Sequence, residues 1–98
     1  MDVIDTKSLY EDILQMQLDE WKEEIDMLQL KSKYAGESSR KIFFQQIDIL
    51  NSKRDTAQGK LNFFKRARKS TWNRIKNDLE LCMDDLENRV QRATLHFS

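Results

Sequence analysis

A chain of 98 residues with two glycines, no proline and 35% charged side chains can form one small domain or one helical element that needs a partner, and it is poorly composed for a strand-based fold. Its 39% apolar content, with five Phe, two Trp and two Tyr in regular spacing, argues against disorder, because such a pattern can bury enough area to offset chain entropy. The formal net charge is zero, which weakens a nucleic-acid reading, and no apolar run approaches the ~20 residues of a membrane span.

The charges are segregated along the chain. Residues 1–26 hold nine acids and two bases, residues 27–76 three acids and thirteen bases, and residues 77–98 five acids and two bases. This acid–base–acid layout predicts that the first segment packs antiparallel on the basic middle, within a chain or between chains. The acidic start MDVIDTKS is not expected to be a secretory signal. The lone Cys82 cannot form an internal disulfide, so a cytoplasmic location is the expectation.

The first helix is expected to start near Asp5–Ser8, with Asp5 or Ser8 as N-cap, and to run to about Tyr34. Leu14, Leu18, Trp21, Ile25 and Leu28 alternate by four and three, which keeps them on one side of a helix. A second apolar stripe holds Leu9, Ile13, Met16, Met27, Leu30 and Tyr34. Two stripes predict a helix with more than one neighbour. The i,i+4 pairs Asp19–Glu23 and Glu20–Glu24 repel within a lone helix, and make better sense beside bases.

A break is expected at 34–39, where Gly36 suits a left-handed C′ position and Ser38 or Ser39 the next N-cap. The second segment, about Ser39 to Arg68, carries the seam Phe43, Ile47, Leu50, Ala57, Leu61 and Phe64. Arg54 and Arg68 interrupt it at core positions, where buried polar residues can set register or let their stems pack while the heads reach water. Ile42, Ile49 and Phe63 are expected to widen its apolar face. Gly59 sits inside this helix at a cost of ~1 kcal/mol against Ala, read as tolerance or close packing.

A second break is expected at 67–71, with Ser70 or Thr71 as a cap. The third segment carries Trp72, Ile75, Leu79, Cys82, Leu86, Val90, Ala93 and Phe97, with a phase slip at 82, 86 and 90. Either break can also be a stutter in a continuous helix. With both turns formed, the chain is a three-helix bundle; with one, a hairpin with an overhang; with neither, a rod that must oligomerise. The expected class is all-α, with long amphipathic helices in an antiparallel coiled coil or three-helix bundle, as one domain over 1–98.

Several blocks carry a resemblance. Leu18-Asp19-Glu20-Trp21 is followed by Ile25 and Leu28; Lys53-Arg54-Asp55-Thr56-Ala57-Gln58 by Lys60-Leu61; Trp72 by Ile75 and Leu79; and Arg92-Ala93 by a terminal Phe97. In order and spacing this resembles a group of small bacterial coiled-coil proteins of unassigned function, over about four-fifths of the chain. The resemblance implies a coiled-coil fold and no catalytic residues. Such proteins are often small and acidic before the second Trp, whereas this chain has Arg66-Ala67-Arg68-Lys69-Ser70-Thr71.

The sharpest candidate site is the basic stretch 60–76. Lys60, Lys65, Arg66, Arg68, Lys69, Arg74 and Lys76 occur with no acid between Asp55 and Asp78, interleaved with Phe63, Phe64 and Trp72. A basic amphipathic helix with aromatic anchors can lie on an anionic membrane, or neutralise nucleic-acid phosphates with Trp72 as a stacking platform. The competing reading places Phe64 and Trp72 in the seam and pairs the bases with the acidic first segment; the heptad phase favours it.

Cys82 is expected as a small buried hydrophobe. His96 stands alone near a helix C-terminus, and one Cys with one His cannot supply a four-ligand zinc set. Asp84, Asp85 and Glu87 lack the glycine and spacing of a calcium loop. With no nucleophile–base arrangement and no glycine-rich phosphate loop, neither an enzyme nor a cofactor is expected. The expectation is a non-catalytic structural or interaction protein that self-associates or binds partner helices. Peripheral binding of anionic membrane through 60–76 is the alternative, and nucleic acid ranks third.

Overall fold

The computed structural model describes residues 6–97, except the side chain of Phe97. Asp5, one expected N-cap, and the Phe97 side chain in the third seam lie outside the described residues. The chain forms α1 (Thr6–Ser32), α2 (Glu37–Arg66), a 3-10 turn (Lys69–Thr71) and α3 (Trp72–Phe97). Among the described residues there is no strand. The three helices pack on one another in a bundle measuring 56 × 24 × 17 Å.

Cross-helix contacts give the directions. Gln15 and Gln58 exchange amide hydrogen bonds at 2.9 Å, and Lys7 reaches the Lys65 carbonyl, so α1 and α2 run antiparallel. Lys53 meets Asp85 at 3.4 Å and Phe43 meets His96 edge-on, so α2 and α3 also run antiparallel. Both being antiparallel to α2, α1 and α3 run parallel, joined where the Tyr10 hydroxyl donates to Glu80 at 2.8 Å. The N-terminus of α1, the C-terminus of α2 and the N-terminus of α3 therefore share one end of the bundle.

Both breaks are turns, and the first is not built as the sequence implied. After α1, the N–H groups of Lys33, Tyr34 and Ala35 each bond a carbonyl three residues back, which tightens the exit. Gly36 then adopts φ −63° and ψ 156° and serves as the N-cap of α2; its carbonyl accepts from Ser39 and Arg40. It is an extended residue at a helix start, not a left-handed one at a helix end, and Ser38 and Ser39 lie inside α2. At the second turn Ala67 and Arg68 are extended. The Thr71 amide and hydroxyl both donate to the Arg68 carbonyl at 2.9 Å, and the Trp72 indole donates to the Ala67 carbonyl at 3.0 Å. Ser8 lies within α1.

The core is the meeting of three seams. Leu14, Leu18, Trp21, Ile25 and Leu28 from α1 are buried with Ile47, Leu50, Ala57, Leu61 and Phe64 from α2 and Leu79, Leu86, Val90 and Ala93 from α3. Trp72 and Ile75 are partly buried and pack against this cluster, and Phe43 is half-buried. On α3 the buried residue is Met83, while Cys82 packs at the core's flank. The seam thus runs 79, 83, 86, 90, 93 in regular alternation, and the slip falls at 75, 79 and 83, one heptad earlier than expected. Ser32 extends the α1 seam and is buried, its hydroxyl satisfied by the Gln29 carbonyl at 2.6 Å.

The two seam arginines part company. Arg54 keeps its seam position with its side chain only 13% exposed; Nε donates to the Leu18 carbonyl at 3.3 Å, and the guanidinium lies 3.7 Å from Asp19 and 3.8 Å from Asp55. Arg68 sits in the connection, exposed, because the chain has left the helix before its turn in the heptad arrives. Ile42, Ile49 and Phe63 do not widen the core face: each is about half-exposed.

Candidate interaction surfaces

Two surfaces remain outside the core. The first is the basic end of the bundle. Here Tyr10, Phe64 and Trp72 cluster, with ring centroids 5.5 Å apart for Tyr10–Phe64 and 6.3 Å for Phe64–Trp72. Lys7 covers the cluster, with Nζ 4.9 Å from the Phe64 ring centre and 5.2 Å from that of Trp72. It is held by Glu11 at 2.5 Å and the Lys65 carbonyl at 3.1 Å. Lys76 covers the Tyr10 ring at 5.0 Å. Cation and ring attract through the ring quadrupole, so these lysines are partly spent on the fold.

The seven bases of 60–76 divide accordingly. Lys60 pairs with Asp78, whose hydrogen bond raises the Lys60 pKa above its ordinary value. Lys65 reaches Gln15 at 3.5 Å. Arg66, Arg68, Lys69 and Arg74 are exposed and have no side-chain partner among the described residues. Phe63, beside them, is 58% exposed and lines a groove between α2 and α3 with Thr56, Gly59, Arg74 and Asp78. Trp72 is no open stacking platform: its ring packs on Phe64 under Lys7 and its indole N–H is tied to the backbone.

The expected pairing of bases with the acidic first segment is sparse. Among the described residues a single ion pair, Arg54–Asp19, joins α1 to α2, whereas Lys53–Asp85 and Lys60–Asp78 join α2 to α3. Asp85 is also held by Arg89 at 3.1 Å, which, ahead of Lys53, draws its carboxyl below the ordinary value.

The second surface is the α1 stripe. Leu9, Ile13, Met16, Met27 and Leu30 are exposed on α1, from 47% at Ile13 to 66% at Met16, whereas Tyr34, expected to close the row, lies in the turn because the helix ends at Ser32 rather than near Tyr34. The stripe does not give α1 its second neighbour, since both α2 and α3 are met by the Leu14–Leu28 seam side. It lies on the outer face, which in a small bundle is ordinarily polar.

Other candidate groups are dispersed. Cys82 is a free, half-buried thiol on α3, and His96 lies near that helix's C-terminus against Phe43. Among the described residues no group of three or more His, Cys, Asp or Glu could hold a metal ion, and no helix is long and apolar enough to cross a membrane. No family model matches the chain, and neither a curated protein nor a solved structure is significantly similar to it.

Proposed function

We propose that this chain is a non-catalytic interaction protein that engages a helix, from a partner or from a second copy, on the outer face of α1. One observation carries the reading. The chain buries its a/d seams within itself, yet leaves five large apolar residues of α1 exposed on a second heptad-spaced stripe. Self-association through the Leu14–Leu28 seam is not needed to satisfy that seam, so an interface falls to the stripe. Exposed apolar patches of this regularity mark interaction sites in soluble domains.

The test is sedimentation velocity of the chain alone and with synthetic amphipathic heptad helices. A complex that is lost in the Ile13→Gln, Met27→Gln, Leu30→Gln variant is the expected result. A monomer under every condition, unchanged by the variant, defeats the reading.

A second reading is favoured by the unpaired bases. Arg66, Arg68, Lys69 and Arg74 gather at one end beside exposed Phe63, the arrangement by which a basic end docks on anionic headgroups. Co-sedimentation with vesicles containing phosphatidylserine, weakened in Lys65→Glu with Arg68→Glu, is expected. Equal recovery with neutral vesicles removes this role.

A further inference from the structure

Resting on the α1-stripe reading, we propose that its occupant is a helix of another protein with apolar residues at heptad spacing and Lys or Arg over its central turn. A second copy of α1 is the occupant that the charges oppose.

On α1, positions 9, 13, 16, 20, 23, 27 and 30 alternate by four and three without a slip. Five are apolar. The fourth and fifth are Glu20 and Glu23, both exposed. Asp19, Glu24 and Asp26 flank them. Asp19 is drawn to Arg54 at 3.7 Å and Asp26 to Lys22 at 3.6 Å. Glu20, Glu23 and Glu24 have no ion-pair partner among the described residues. The stripe is thus two apolar halves joined by an acidic waist, and its C-terminal end is flanked by the exposed bases Lys31 and Lys33.

Two α1 stripes cannot pair in register without bringing these waists together. In a parallel pair Glu20 meets Glu20 and Glu23 meets Glu23. In an antiparallel pair that sets Ile13 against Leu30 and Met16 against Met27, Glu20 meets Glu23 twice. Either arrangement places four carboxylates in the part of the interface furthest from water, where like charge is costly. Bases at the same places on a partner turn that cost into ion pairs. Because the waist is central, the complementarity holds for a partner running in either direction, and the apolar halves supply the buried area.

The probe is a labelled synthetic helix of about 24 residues, enough to span the stripe at 1.5 Å per residue. It carries Leu at the stripe-facing positions and Lys at the two central ones. Its control carries Glu at those two. Anisotropy titrations with the full chain are expected to show the Lys helix binding at least about tenfold tighter than the Glu helix at low salt, with the margin shrinking as salt rises. The Glu20→Lys, Glu23→Lys variant, with helicity checked by circular dichroism, should invert the preference. Equal affinity for both helices overturns the charge inference while the stripe reading stands. Binding of neither helix by a chain that stays monomeric defeats both. A concentration-dependent dimer abolished by Ile13→Gln with Met27→Gln makes the occupant a second copy and overturns the proposal.

Discussion

Tyr10 ties three helices together at the basic end: its hydroxyl donates to Glu80 on α3, its ring meets Phe64 on α2 edge-on, and Lys76 lies over its face. Burial, followed by the hydrogen bond to Glu80 and that group's charge, raises its pKa well above the ordinary 10.0. The folded chain therefore holds the phenolic proton more tightly than the unfolded chain. The stability linked to Tyr10 is fully present below pH 10.0 and is lost as pH rises towards the folded value. In a Tyr34→Phe background the near-ultraviolet phenolate absorbance follows Tyr10 alone. Its proton should leave above pH 10.0, together with the helical circular dichroism; release near that value from an intact bundle contradicts the placement. At neutral pH, Tyr10→Phe should cost about 1 kcal/mol in urea denaturation. None of this is legible in the sequence, because the Tyr10–Glu80 bond spans seventy positions and depends on the register of two parallel helices. Arg54 and Arg68 show the same limit: one heptad assignment puts both in the seam, and only the path of the second turn separates them.

At the scale of the element, regular alternation locates the helices well, and errors gather where the phase changes. Met83 could have been found by carrying the alternation backwards from Ala93, Val90 and Leu86; reading forward from Ile75 and Leu79 reached Cys82 instead. The turns were legible as small-residue breaks, but their geometry was not. Gly36 at a helix start and Gly36 at a helix end look alike in sequence. Gly59 shows what the structure adds about a helix interior. A Cβ there meets nothing within 4 Å, so close packing is not why the glycine is tolerated. Gly59→Ala should remove most of the backbone-entropy penalty and add about 1 kcal/mol, raising Tm by ~4–8 °C for a domain of this size. Thermal melting followed by circular dichroism checks it. An unchanged or lower Tm means that the α2–α3 groove beside Phe63 has no room for a methyl group.

At the scale of the molecule, both α1 stripes were visible as periodicities. Periodicity alone could not say which one the chain uses for itself. The physical difference lies in the middle of each row. Leu14 to Leu28 is unbroken, whereas Glu20 and Glu23 interrupt the other and would have to shed their water to enter a core. Folding and association should therefore separate cleanly by mutation. Leu61 is fully buried between the three helices, so Leu61→Ala should cost about 2–5 kcal/mol, a large share of the ~5–15 kcal/mol that holds a small domain. Ile13→Gln with Met27→Gln removes apolar groups that face water in the bundle, and should change stability by less than about 1 kcal/mol. Urea midpoints should thus fall for the first and hold for the second. Helix binding, measured under conditions where each variant is folded, should persist for the first and vanish for the second. If the stripe variant instead unfolds like the core variant, the outer face of α1 is part of the fold, and its apolar residues are no longer free to receive a partner.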